Sequence, residues 1–72
     1  MEFYEKLKSL RLAKGVTQQT AADDLGITLR QYHRFERADQ KPGFDNLRNI
    51  ADYFDVSVDW LMGRTENRKV NR

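Results

Sequence analysis

Apolar residues recur at helical spacing along most of this chain. Phe3, Leu7 and Leu10 lie three and four residues apart, which predicts an amphipathic helix over roughly residues 2–14. Lys14-Gly15 closes it, with a cation in the last turn and a glycine after it. Thr17 is placed to cap a second helix, buried through Ala21, Ala22 and Leu25 and ended by Gly26. Its alanines are small enough for another helix to cross closely. Asp23 and Asp24 sit where the helix dipole disfavours negative charge, a mild cost. Thr28 and Gln31 have the spacing of a capping box for a third helix, with Tyr32 and Phe35 facing the core. Arg37 to Pro42 has no period and reads as a loop. Phe44, Leu47, Ile50, Ala51 and Phe54 predict a fourth helix over roughly 44–54. Ser57 caps a short fifth, about 58–62, with Val58 and Leu61 turned inward and Gly63 beyond it. Only Val56-Ser57-Val58 alternates like a strand, and it is too short to be one. The expected architecture is all-α, five helices with short connections.

The chain has 72 residues, enough for one small domain over 1–63 and a basic tail over 64–72 with a single apolar residue, Val70. That tail is expected to be disordered. A domain of this size buries a small share of its surface, and without cysteine it has neither a disulfide nor a thiolate zinc site to reinforce it. No apolar run approaches the roughly 20 residues of a membrane span. The start, Met1-Glu2-Phe3-Tyr4-Glu5, is acidic and aromatic, unlike a signal peptide, so a cytoplasmic protein is expected.

The net charge of +2 says little; its distribution says more. Residues 28–42 carry Arg30, Arg34, Arg37 and Lys41 against Glu36 and Asp39. Residues 43–63 carry Asp45, Asp52, Asp55 and Asp59 against Arg48 alone. The tail carries Arg64, Arg68, Lys69 and Arg72 against Glu66. Positive charge therefore gathers on the third helix and the tail. A charge run is most often a solvated face, but this one coincides with a polar helix start. Catalytic chemistry has no comparable support. His33 is the sole histidine and has no cysteine or carboxylate cluster to complete a metal site. Asp23 and Asp24 are adjacent and point to different helix faces. No enzyme, metal, cofactor or small-molecule ligand is expected.

The stretch from Thr17 to Glu36, two short helices joined at Gly26, has the form of a helix-turn-helix. Around it stand Leu10-Arg11 with Gly15, Thr17-Gln18, Gly26-Ile27-Thr28, Tyr32 and Glu36, Pro42, Leu47 with Ile50-Ala51, and Val56-Ser57-Val58-Asp59-Trp60-Leu61 before Gly63. In this order and spacing the chain resembles the phage Cro and C1 repressor type of helix-turn-helix domain, also termed the XRE family, over about residues 3–63. The resemblance implies a lambda-repressor-like fold whose third helix enters the major groove while the second crosses the DNA backbone.

Carried across by position, it implies base reading by Leu29, Arg30 and Arg34, with Thr28, Gln31 and His33 nearby. Arg30 is the first choice, because a guanidinium can bind guanine O6 and N7 together. Leu29 either touches a thymine methyl or covers the core. Gln31 either meets DNA or only completes the cap. Gln18 resembles a glutamine that fixes the second helix to phosphate, and Arg37 and Lys41 fall in a loop that contacts backbone in relatives. Arg11 and Glu36 correspond to an arginine and glutamate that pair between the first and third helices. Ala38 stands where glycine is common, a position where alanine would be strained.

The expected function is sequence-specific binding of double-stranded DNA by a transcriptional regulator, a repressor that occludes a promoter. Homodimerisation is possible through Val58, Trp60, Leu61 and Met62, although Val58 and Leu61 are equally placed to serve the core alone. The alternative is a protein-interaction module, antitoxin-like or an anti-repressor partner, on the same fold with weak or no DNA binding.

Overall fold

The computed structural model describes residues 1–69. Five helices form where the apolar spacing placed them: α1 Phe3–Lys14, α2 Gln18–Leu25, α3 Leu29–Glu36, α4 Phe44–Phe54 and α5 Val58–Leu61. No strand forms among the described residues. Three N-caps fix the starts of α2, α3 and α5. Thr17 Oγ1 accepts from Thr20 N at 3.1 Å, Thr28 Oγ1 from Gln31 N at 3.0 Å and Ser57 Oγ from Trp60 N at 2.9 Å. At α3 only this forward half of the expected box forms among the described residues. The reciprocal bond appears instead at α1, where Glu2 N donates to Glu5 Oε1 at 3.1 Å.

The turn between α2 and α3 depends on Gly26, whose φ of 72° lies in the left-handed region. Its N–H bonds back to the last turn of α2, so α3 starts abruptly after Ile27. The core consists of Leu7, Leu10, Ala21, Ala22, Tyr32, Phe35, Ile50, Ala51, Val56 and Leu61. Ala21 and Ala22 are fully buried, and their small side chains let α2 lie against both α3 and α4. α1 packs on α3 and α4, and α5 closes one end against α4.

Polar contacts bind the elements that the small core leaves underheld. Lys6 is buried yet charged; its Nζ donates to Trp60 O at 2.5 Å and lies 4.8 Å from the Trp60 ring, tying α1 to α5. Tyr53 on α4 donates to Asp24 Oδ2 at 2.6 Å, which gives the poorly placed carboxylate of α2 a partner. Burial and then that carboxylate push the Tyr53 hydroxyl up to about 12. Residues 64–69 run back along α5. Arg64 N donates to Asp59 O at 2.8 Å, Ser57 N to Arg68 O at 3.0 Å, and the Arg68 guanidinium lies 5.1 Å from the Trp60 ring. Val70 and Arg72 of the expected tail lie outside the described residues.

Ala38, just past α3, has φ 64°, the left-handed backbone that disfavours a side chain. Ala38→Gly should relieve that strain, partly offset by the freedom glycine gains when unfolded. The expected net result is up to about 1 kcal/mol of added stability in a thermal or urea melt. A lower melting temperature would contradict a strained Ala38.

Candidate nucleic-acid interface

α3 has two chemically opposite sides. At about 100° per residue, Tyr32, Phe35 and Glu36 fall together on the inner side, and all three are buried. Arg30 and Arg34 fall opposite them, one turn apart, with Arg37 at the end of the same stripe. All three arginines are exposed. Neither the Arg30 nor the Arg34 guanidinium has a hydrogen-bond or ion-pair partner among the described residues. Arg37 meets Asp39 at 3.7 Å in an exposed pair, worth about 0–1 kcal/mol and easily exchanged for another anion.

Thr28 is exposed at the start of α3, its hydroxyl used in the cap. Leu29 and Gln31 are half-buried, and Leu29 is not among the side chains packed on the core. Lys41 is exposed and borders a groove of about 370 Å³ with Phe3, Pro42, Leu47 and Met62. The four residues expected at a dimer contact are not equally available. Leu61 is 1% exposed and belongs to the core; Val58 and Trp60 are half-buried against it; Met62 is 54% exposed.

The inner end of α3 is held by charge. Arg11 Nε donates to Glu36 Oε2 at 2.7 Å and Nη2 to Oε1 at 3.4 Å, with side-chain exposures of 11% and 4%. The remaining fork of Arg11 reaches Val16 O at 3.1 Å, in the turn before α2. Gln18 Nε2 donates to Glu36 Oε1 at 3.2 Å, and Gln18 Oε1 faces His33 Nε2 at 2.7 Å. A single chain of polar groups thus joins α1, α2 and α3. Gln18, expected at phosphate, is also internal to this chain, and so is half-buried His33. Sequence spacing gave no sign of the Gln18–His33 contact. Lys6 carried a fainter signal, a cation three residues after Phe3 and four before Leu10, at the edge of the buried stripe.

Burial alone would raise the pKa of Glu36, but hydrogen bonds from Arg11 and Gln18 outweigh it and hold the carboxyl below its usual range. Hydrogen bonding to Glu36, opposed by burial, raises that of Arg11. The Tyr32 hydroxyl is buried beside this pair without a hydrogen bond of its own. Burial and the neighbouring carboxylate push its pKa well above the ordinary tyrosine value.

The helix-turn-helix family model matches residues 7–61. The chain is 43% identical over 68 residues to the uncharacterized HTH-type transcriptional regulator YqaE of Bacillus subtilis, covering 94% of this chain and 59% of that protein. It is 39% identical over 64 residues to the cryptic phage CTXphi transcriptional repressor RstR of Vibrio cholerae, covering 89% of this chain and 57% of that one. It therefore spans less than two thirds of the length of these relatives. Among solved structures it resembles the P22 c2 repressor in complex with a synthetic operator. That match has a TM-score of 0.84 at 18% identity and covers 90% of this chain and 98% of the other.

Glu36 sets an acid limit on stability. Its folded-state pKa is depressed, so its contribution is present above the unfolded value, about 4.3, and is lost as pH falls through the folded one. Urea midpoints measured from neutral to acid pH should fall steeply on the acid side, and Glu36→Gln should flatten that fall while lowering stability at neutral pH. An unchanged acid slope in the variant would remove Glu36 from this role. Arg11→Ala at neutral pH should cost more than the roughly 0–1 kcal/mol of an exposed pair and approach the roughly 3–5 kcal/mol of a broken buried one.

Proposed function

The chain belongs to the Cro/C1-type helix-turn-helix family, and we propose that it is a sequence-specific regulator of transcription that binds double-stranded DNA. The outward stripe of α3 is the single observation that carries this reading. Arg30 and Arg34 are exposed, lack internal partners, and sit on a helix whose opposite side is anchored in the core. A helix of this diameter fits the major groove, where an arginine can bind guanine O6 and N7 in a bidentate contact. Leu29 adds an apolar group beside them that suits a thymine methyl.

Phosphate contacts position such a domain and base contacts select its site. Gln18, Arg37 and Lys41 are assigned to the first role, with Thr28, Gln31 and His33 at its edge. The function is binding rather than catalysis: a repressor of phage or bacterial kind, acting in the cytoplasm by occupying a promoter. A pair of copies would read half-sites about one helical turn apart. With Leu61 committed to the core, Met62 is the residue of α5's end most open to a second copy, flanked by Val58 and Trp60. The regulators YqaE and RstR and the operator-bound P22 c2 repressor support this reading by likeness of sequence and fold.

Affinity for any duplex should fall steeply with added salt, as phosphate-driven binding must. Indifference to every duplex at low salt would favour a protein-interaction role instead. Arg30→Ala should weaken a selected site by roughly 1–3 kcal/mol while affecting random DNA far less; equal losses would show that it reads no base. Gln18→Ala should weaken all duplexes to a similar extent. A loss confined to one sequence would overturn its backbone role.

A further inference from the structure

The polar chain behind α3 fixes the hydrogen on the protein's sole histidine. Glu36 is held ionised and its oxygens only accept, so the amide atom 3.2 Å from Oε1 is Gln18 Nε2 as donor. That orientation places Gln18 Oε1 at 2.7 Å from His33 Nε2. An amide oxygen also only accepts, so His33 Nε2 carries the hydrogen. In the neutral ring Nδ1 is then bare. It has no hydrogen-bond partner among the described residues, and the only buried side-chain polar atom lacking one is the Tyr32 hydroxyl, so Nδ1 is open to solvent.

A proton arriving from solvent at Nδ1 breaks nothing, because the Nε2 hydrogen still donates to Gln18. It converts an acceptor into a donor and adds a positive charge to α3. The charged groups on and next to this helix are Arg30, Arg34 and Glu36 on α3, the exposed pair of Arg37 and Asp39 just past it, and Arg11 on α1, the last already committed to Glu36. The first turn of α2 presents no acidic residue, only neutral Gln18 beside the ring. A phosphodiester backbone brought against α3 places negative charge beside the ring and favours the imidazolium.

We propose that His33 is a proton-linked phosphate ligand: duplex binding draws one proton onto Nδ1, which then donates to a backbone oxygen. The proposal rests on the reading that α3 meets duplex DNA. Histidine is the side chain that changes charge between about pH 5 and 8, and this chain has one.

The test uses the full chain and a mixed-sequence duplex of about 20 base pairs, two helical turns, at fixed ionic strength. Lowering the pH from about 7.5 to about 5.5 should tighten binding roughly tenfold or more, as expected for one added charge-assisted hydrogen bond. His33→Gln should remove most of that gain, read as the ratio of its own affinities at the two pH values. A second readout does not depend on the variant's folding. The histidine ring signal of the wild-type protein, followed by NMR, should titrate at higher pH when the duplex is saturating. Its nitrogen shifts in the free protein should report the Nε2–H tautomer. Binding that is equal at both pH values, or a titration unmoved by duplex, overturns this inference and leaves the DNA reading standing. No binding at either pH overturns both.

Discussion

The buried pairing of Arg11 with Glu36 is the interaction on which the exposed side of α3 depends. An eight-residue helix is too short to be stable alone in water. α3 persists because Tyr32 and Phe35 are buried at its centre and Glu36 is fastened at its end. Arg11 is suited to this position because its planar fork meets the carboxylate and still reaches Val16 O. A lysine there would supply one charge without that geometry. Since Gln18 completes the shell of Glu36, the same carboxylate also sets the start of α2 relative to α3. The angle between the two helices is thus tied to groups outside the proposed DNA-facing stripe.

The small size of the domain explains why such contacts are used. The core contains ten buried apolar residues among those described, three of them alanines. Close crossing at Ala21 and Ala22 gains contact without bulk, and the remaining cohesion comes from side chains that span elements. Lys6 to Trp60 ties the first helix to the last, and Tyr53 to Asp24 ties the fourth to the second. All of these contacts lie away from the Arg30 and Arg34 stripe, which has no internal demand on its donors.

The helices were legible because their determinants are local. Apolar spacing marks the buried faces, and Thr17, Thr28 and Ser57 mark three starts by a bond spanning three residues. The outward position of Arg30 and Arg34 follows from the same period once Tyr32 and Phe35 are placed inward. The left-handed Ala38 was legible as a departure from an expected glycine. The rest was hidden in contacts between distant residues. Gln18 meets His33 across 15 residues and Lys6 meets Trp60 across 54, and no periodicity encodes which rotamers meet. Residues 64–69 read as polar tail because composition registers neither the backbone bond from Ser57 nor the approach of the Arg68 guanidinium to the Trp60 ring. Leu61 satisfied a surface reading and a core reading equally, and packing resolved it toward the core.

The central claim is that duplex DNA meets the outer side of α3 and the start of α2. Chemical-shift mapping of the isotopically labelled protein titrated with duplex tests it most directly. The account predicts the largest changes at residues 28–34, at Gln18 and at Arg37, with the exposed side of α4 around Phe44 unmoved. Changes concentrated on α4 and α5, with the α3 stripe silent, would contradict it.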